Sequence, residues 1–343
     1  MTVNEIGRML ETPAYAFLRD NEHLGRNIIF LTLGGSYAYG TNVEGSDVDL
    51  RGCALNRKEE ILTGQNFEQF VNEDTDTTIY SFNKLVNLLL NCNPNTIELL
   101  GCLPEHYMYV SIIGREMLDN RDMFLSKRCV QSFGGYAYSQ LRRLDNKAVR
   151  TVEQAAREQH ILNSIRNASQ SYAERFLEMP EDAIRLYIDK SDQEEYDSEI
   201  FMDVHLTHYP LRDYKGMWSD MNNIVKDYAK IGRRNTRAAE HGKLAKHMMH
   251  LIRLYLMCMD ILDKGEIITY REKDLPLLMS IRNGDYLDEN DQPIPSFFEL
   301  VETLQADMQS AAERSDLPDK PDMNRINRFV MDVNERVVRG ECW

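Results

Sequence analysis

The chain has 343 residues, is 43% hydrophobic and 28% charged, and carries a formal net charge of −15. That length suits about two domains with buried cores. No stretch approaches the roughly 18 apolar residues of a membrane span, and Met1–Arg8 lacks the basic and apolar regions of a secretion signal, so the expected location is the cytoplasm. The acidic balance argues against a general nucleic-acid binder, whose affinity comes from Lys and Arg, and confines any RNA contact to a local patch.

In chain order, Thr12 to Asn21 reads as an amphipathic helix and Asn27 to Leu33 as a buried strand rich in β-branched and aromatic residues, cut off at Gly34-Gly35. A short helix is expected over Ser36 to Gly40, then a strand over Asp47 to Leu55 and another over Thr75 to Tyr80. Ser81 is the expected N-cap of a helix from Phe82 to Asn91, which Asn93-Pro94 ends, and Thr96 opens the next. After about residue 125 long helical patterns take over: Val130 to Leu144, Val152 to Glu178, Asp182 to Tyr187, Lys215 to Lys230, Glu240 to Leu262, Leu275 to Asn283, Ser296 to Arg314 and Asp322 to Val338. Gly284 to Pro295 and Ser315 to Pro321 read as loops. The expected class is therefore α+β: a small mixed-sheet core with flanking helices over residues 1–125, and a mostly helical domain over 126–343.

Gly34-Gly35-Ser36 lets backbone approach an anion, and N–H groups at the following helix start favour phosphate oxygens. Asp47 and Asp49, two apart in an expected strand, share a face. Paired carboxylates repel unless a cation lies between them, and Mg²⁺ held by carboxylates and substrate phosphates suits the pair, with Mn²⁺ an alternative. Arg51 continues that face and would neutralise the aspartates or contact phosphate. A third acid comes from Asp76 on the next expected strand, with Asp74 the runner-up. Singly, each feature also describes an ordinary turn or two solvated aspartates on an edge strand.

Their spacing is more specific. A hydrophobic strand, Gly-Gly-Ser, Asp-x-Asp about ten residues on, and a further acidic strand resemble the polymerase-beta-like nucleotidyltransferase superfamily. Gly34-Gly35-Ser36-x-Ala38-Tyr39-Gly40-Thr41 with Ser46-Asp47-x-Asp49-x-Arg51-Gly52 resembles its bacterial and phage group, which includes members associated with an RNA-repair ligase and kinase. Ile79-Tyr80-Ser81, Asn93-Pro94-Asn95, Gly135-Tyr136-Ala137, Lys246-His247-x-x-His250-Leu251-x-Arg253 and Ile281-Arg282-Asn283-Gly284 extend the likeness along most of the chain. Asn83 departs from it, standing where relatives would carry a basic residue. The resemblance implies nucleotidyl transfer from an NTP, ATP foremost, to an acceptor hydroxyl such as an RNA end, with Asp47, Asp49 and Asp76 holding metal. Two other classes stay open: a transferase modifying a protein or small molecule, and a catalytically idle nucleotide-binding protein.

A second patch lies on the helix around residue 250. At about 100° per residue, Leu244, Met248, Leu251, Ile252, Tyr255, Met259 and Leu262 form an apolar stripe, and Lys243, Lys246, His247, His250 and Arg253 gather opposite. If that face lines the cleft, Lys246 and Arg253 contact triphosphate and His250 hydrogen-bonds nucleotide; otherwise it is a solvated basic face. The basic run Lys230 to Arg237 and Arg142-Arg143 are further candidates for an acidic substrate. The six cysteines form no C-x-x-C pair, and no H-E-x-x-H, Ser-His-Asp, G-x-S-x-G or Walker-type pattern occurs.

Overall fold

In the computed structural model, residues 1–65, 67–137, 184–190, 198–211, 241–289 and 292–342 are described, with 214, 215, 218 and 222. The fold is α+β, as the sequence predicts. Its five-stranded sheet runs β3-β4-β2-β1-β5, with β1 Ile28–Leu33, β2 Leu50–Ala54, β3 Gln69–Asn72, β4 Thr77–Ser81 and β5 Tyr107–Val110. β1 is antiparallel to β2 and β5, β2 is parallel to β4, and β3 closes an antiparallel edge on β4.

Every residue of β1 is buried, as its unbroken apolar run requires of a strand covered on both faces. A register shift between Ile28 and Phe30 turns Ile28, Leu31 and Leu33 into one core with Ile6, Leu18, Leu50 and Ile79. The N-terminal elements over that core include the helix Val3–Met9, fixed by a capping box between Thr2 and Glu5. Ser81 caps the helix Phe82–Leu89 as expected, its Oγ accepting from the Lys84 N–H. The next helix, Pro94–Ile97, is capped by Asn93 rather than Thr96.

Register positions the chemistry. Leu33 pairs with Leu50, and Leu50 with Thr77. Gly34 follows the first of these residues, while Asp49 and Asp76 precede the other two, so all three lie at one end of the sheet. The Gly34 N–H donates to the Asp49 carbonyl at 2.8 Å, and the Leu50 N–H to the Asp76 carbonyl at 3.1 Å. The strands are shorter than expected. β2 starts at Leu50 and β4 at Thr77, so Asp47 and Asp49 sit in the lead-in to β2, and Asp74 and Asp76 share a turn instead of a strand face. Asp76 has φ +41, a left-handed conformation that Asp tolerates better than most residues.

The expected C-terminal helices form as His241–Lys264, Leu275–Asn283, Pro295–Arg314 and Met323–Arg339. Asp322 caps the last one, its carboxylate accepting from the Asn324 and Arg325 N–H groups. One expectation is overturned: Asp182 to Tyr187 is not helical, because Ile184–Lys190 is a strand paired antiparallel with Ser198–Val204. Ile184, Leu186 and Ile188 alternate with Arg185 and Asp189 at the two-residue period of a strand. Residues 128–137 are helical, which covers the first part of the helix expected from Val130. The helix expected over Val152 to Glu178, most of that over Lys215 to Lys230, the run Lys230 to Arg237 and Arg142-Arg143 lie outside the described residues.

Met1–Leu141, Ala245–Asp288 and Pro293–Trp343 make one compact unit, and Arg142–Leu244 with Glu289–Gln292 a second. The C-terminal helices thus belong with the sheet, whereas the boundary expected at 125/126 sets them apart from it. Ion pairs cross from them to the sheet-bearing part of the unit, Arg325 to Asp122 and Arg336 to Glu116 at the surface and Arg253 to Glu98 in the interior. Among the described residues no helix is long and apolar enough to cross a membrane.

Candidate active site

The site begins where β1 ends. Gly34 is extended, Gly35 has φ +53, and the chain turns into the helix Gly35–Tyr39. A Cβ built on Gly35 would lie 1.8 Å from Asp49 Oδ2. Glycine is required twice over, by the backbone angle and by the carboxylate against it. Ser36 is buried at the start of the helix. Opposite it, a tight turn at Val43–Ser46, closed by Val43 N–H donating to Ser46 Oγ at 2.9 Å, leads into Asp47.

Arg51 spans two of the carboxylates. Its Nη2 donates to Asp49 Oδ1 at 3.2 Å and to Asp76 Oδ1 at 2.9 Å, while Nη1 donates to the Leu50 carbonyl at 2.9 Å and to the Asp76 carbonyl. Of its two expected roles, neutralising the aspartates is the one seen. Burial raises the Asp49 carboxyl to about 7, a hydrogen bond with Asp76 adds to the rise, and Arg51 opposes it. Asp76 is shifted down because it accepts that hydrogen bond, with Arg51 acting in the same sense and burial against it. The two shifts run in opposite directions, so of this pair Asp49 is the carboxyl that holds a proton more readily.

Ser36, Asp47, Asp49 and Asp76 line one polar cleft of about 220 Å³, with Glu44, Gly45, Ser46, Lys246 and Arg282 among its other walls. Asp74 is exposed in the turn and is not among them. Lys246 is solvent-exposed on the helix His241–Lys264 and its charge reaches both Asp49 and Asp76. Arg282, at the end of the helix Leu275–Asn283, belongs to the motif Ile281-Arg282-Asn283-Gly284, but the sequence gives it no role. Its place on the same cleft as Lys246, reached from a second helix, is the signal that a linear reading misses. Three hard carboxylates suit Mg²⁺ or Mn²⁺ by donor type. Among the described residues, no three acidic, His or Cys side chains are gathered closely enough to enclose an ion.

Arg253 and His250 are not brought into the cleft. Arg253 is 3% exposed. Its Nη1 donates to Glu98 Oε2 at 2.8 Å, and its guanidinium lies 3.7 Å from the centre of the Tyr39 ring. Tyr39 Oη donates to Glu98 Oε1 at 2.9 Å. The three groups make a buried knot behind the Gly-Gly-Ser helix rather than a face towards substrate. His250 packs edge-on against Tyr39. Burial, with Arg253 and Lys246 nearby, holds its imidazole well below the ordinary histidine pKa, so it is neutral. The helix is buried on both sides here, since Met249, Leu254, Met257 and Ile261 are buried as fully as the apolar stripe. The solvated-face alternative therefore fails for Arg253 as well.

A model of the RNA repair pathway DNA polymerase beta family (RlaP) matches residues 12–332, and the chain belongs to that family. No curated protein and no solved structure matches it.

Proposed function

We propose that this member of the RNA repair pathway polymerase beta family moves a nucleoside monophosphate from an NTP, ATP foremost, to the hydroxyl of an RNA end in a metal-dependent reaction. The observation that carries this reading is the convergence of Ser36, Asp47, Asp49, Asp76 and two cations on one cleft at the end of the sheet. In this reading the triphosphate lies along Gly34-Gly35-Ser36, with the backbone N–H groups towards its oxygens. Asp47, Asp49 and Asp76 are the residues that would hold Mg²⁺ or Mn²⁺, which when bound supplies positive charge against the phosphates and makes the acceptor hydroxyl more acidic. Arg51 releases the aspartates and turns to phosphate. The acceptor oxygen forms its bond to the α-phosphorus in line as the bond to pyrophosphate breaks. Its proton passes to Asp76, the carboxylate that helps take it as the new bond forms. Selection of the acceptor falls to the part of the chain after residue 125.

The net charge of −15 favours a protein or small-molecule acceptor as the second reading, since it opposes broad contact with RNA. Incubation with each α-labelled NTP and Mg²⁺, in turn with RNA, protein and small-molecule acceptors, tests both. Label should pass to RNA and be lost in the Asp47→Asn/Asp49→Asn double variant. Transfer that survives that variant refutes the metal assignment, and NTP binding without transfer to any acceptor refutes the enzymatic reading in favour of an idle nucleotide-binding protein.

A further inference from the structure

Arg282 combines features that no other cation of the cleft has. It lines the cleft with Lys246 and the carboxylates of Glu44, Asp47, Asp49 and Asp76. Its Nη1 is buried and has no hydrogen-bond partner, and it forms no ion pair with any described residue. The other arginines near the site are ion-paired: Arg51 with Asp49 and Asp76, Arg253, whose Nε also lacks an acceptor but lies away from the cleft, with Glu98, and Arg271 with Asp260 and Asp274. A buried guanidinium N–H without an acceptor costs stability in the free protein. The cost is recovered only when something brings oxygen acceptors to it. Asp47, on the same walls, does not supply them.

The cleft thus carries both signs of charge: the carboxylates of Glu44, Asp47, Asp49 and Asp76, and the cations Lys246 and Arg282, one exposed and one half-buried. A ligand complementary to both carries a dense run of anionic oxygens for the cations and associates with a metal for the carboxylates. Planar, forked guanidinium matches the paired oxygens of a phosphate, while a flexible lysine follows it as a point charge.

We infer that Arg282, supported by Lys246, grips the terminal phosphates of the substrate and makes the site selective for a triphosphate chain over shorter ones. The inference rests on the nucleotidyl-transfer reading, which assigns the triphosphate to this cleft, and it names the part of the donor that Arg282 reads. The reacting α-phosphorus stays with Gly34-Gly35-Ser36 and the aspartates. Arg282 touches the chain that departs as pyrophosphate.

Calorimetric titration with inorganic tripolyphosphate, pyrophosphate and phosphate tests the contact without catalysis. Tripolyphosphate should bind wild type best. Arg282→Ala should weaken it roughly 10- to 100-fold, the loss of a charged, buried hydrogen-bonding partner, and should affect phosphate little. Arg282→Lys should fall between, keeping charge and losing the fork, and serves if the alanine variant folds poorly by circular dichroism. With labelled NTP, Arg282→Ala should raise KM by a similar factor and erase the preference for NTP over NDP as a competing ligand. Equal tripolyphosphate affinity in folded Arg282→Ala and wild type overturns the inference, whether or not nucleotide is transferred. An Arg282-dependent tripolyphosphate site in a protein that transfers no nucleotide keeps the inference and overturns the function proposed above.

Discussion

Replacing Gly35 with alanine places a methyl group 1.8 Å from Asp49 Oδ2 and 2.7 Å from its Cγ, where ordinary contact begins at 3.4 Å. The Asp49 carboxylate must therefore move by about 1.6 Å, since atoms inside the repulsive wall cannot share that space. The new residue must also hold φ +53, which costs a non-glycine residue about 1–2 kcal/mol. The two penalties separate by experiment. Gly64 also has positive φ, +69, yet a Cβ there meets nothing within 4 Å. Gly64→Ala should lower the unfolding free energy by about 1 kcal/mol and leave transfer intact. Gly35→Ala should lose that much or more, and a misplacement beyond 1 Å should cut kcat by about 100-fold or more. Denaturant unfolding and labelled-nucleotide transfer, run side by side on both variants, give the two numbers. A Gly35→Ala protein with wild-type kcat would refute the claim that this glycine exists to seat Asp49.

Four other expectations follow from the same geometry. Arg253→Met should destabilise the fold by about 3–5 kcal/mol because it strands Glu98 in the core, and the Arg253→Met/Glu98→Leu pair should recover part of that loss; additive losses in a double-mutant cycle would disprove the coupling. Tyr39→Phe should cost about 1.5–3 kcal/mol, the worth of a hydrogen bond to a charged group, read from the same unfolding curves. Asp49 is raised above its ordinary value, so between about pH 4 and 7 the folded state binds more protons than the unfolded one and this group's contribution to stability falls as pH rises. In chelator-containing buffer, Asp49→Asn should accordingly gain melting temperature over wild type by more at pH 8 than at pH 5, and a gain independent of pH would count against the shift. The exposed bidentate pair of Arg325 with Asp122 should matter little: Arg325→Ala should cost under about 1 kcal/mol, less still in 1 M salt.

The donor side of the site is readable from the sequence because its geometry is local. Gly34 to Ser36 and Asp47 to Asp49 lie within 16 positions, and one strand pairing brings them together. Asp76 is preferred over Asp74 for its depth in a strand, yet it reaches the cleft through a left-handed turn that ends just before β4. The helix wheel groups Arg253 with Lys246 because charge is all that a wheel registers. What separates them is Glu98, 155 positions away, and no local pattern carries that. Arg282 escapes for the same reason, since its unpaired state shows only once its surroundings are assembled. The edge strands Gln69–Asn72 and Tyr107–Val110 are four residues each, too short for a period to emerge. Ile184–Lys190 is misread as helix because a six-residue window mixes apolar and charged residues in a way that both periods accommodate.

The knot of Tyr39, Glu98 and Arg253 also bears on how the protein is made. Glu98 and Tyr39 leave the ribosome well before their cation, and 155 residues must be added before Arg253 exists. At ordinary synthesis rates this takes roughly 8–30 s. Throughout that interval Glu98 lacks the cation that it meets in the folded protein, so a residue far along the chain completes the packing behind the Gly-Gly-Ser turn. A fragment ending near residue 125 would hold every acid of the cleft and lack the cation of that knot.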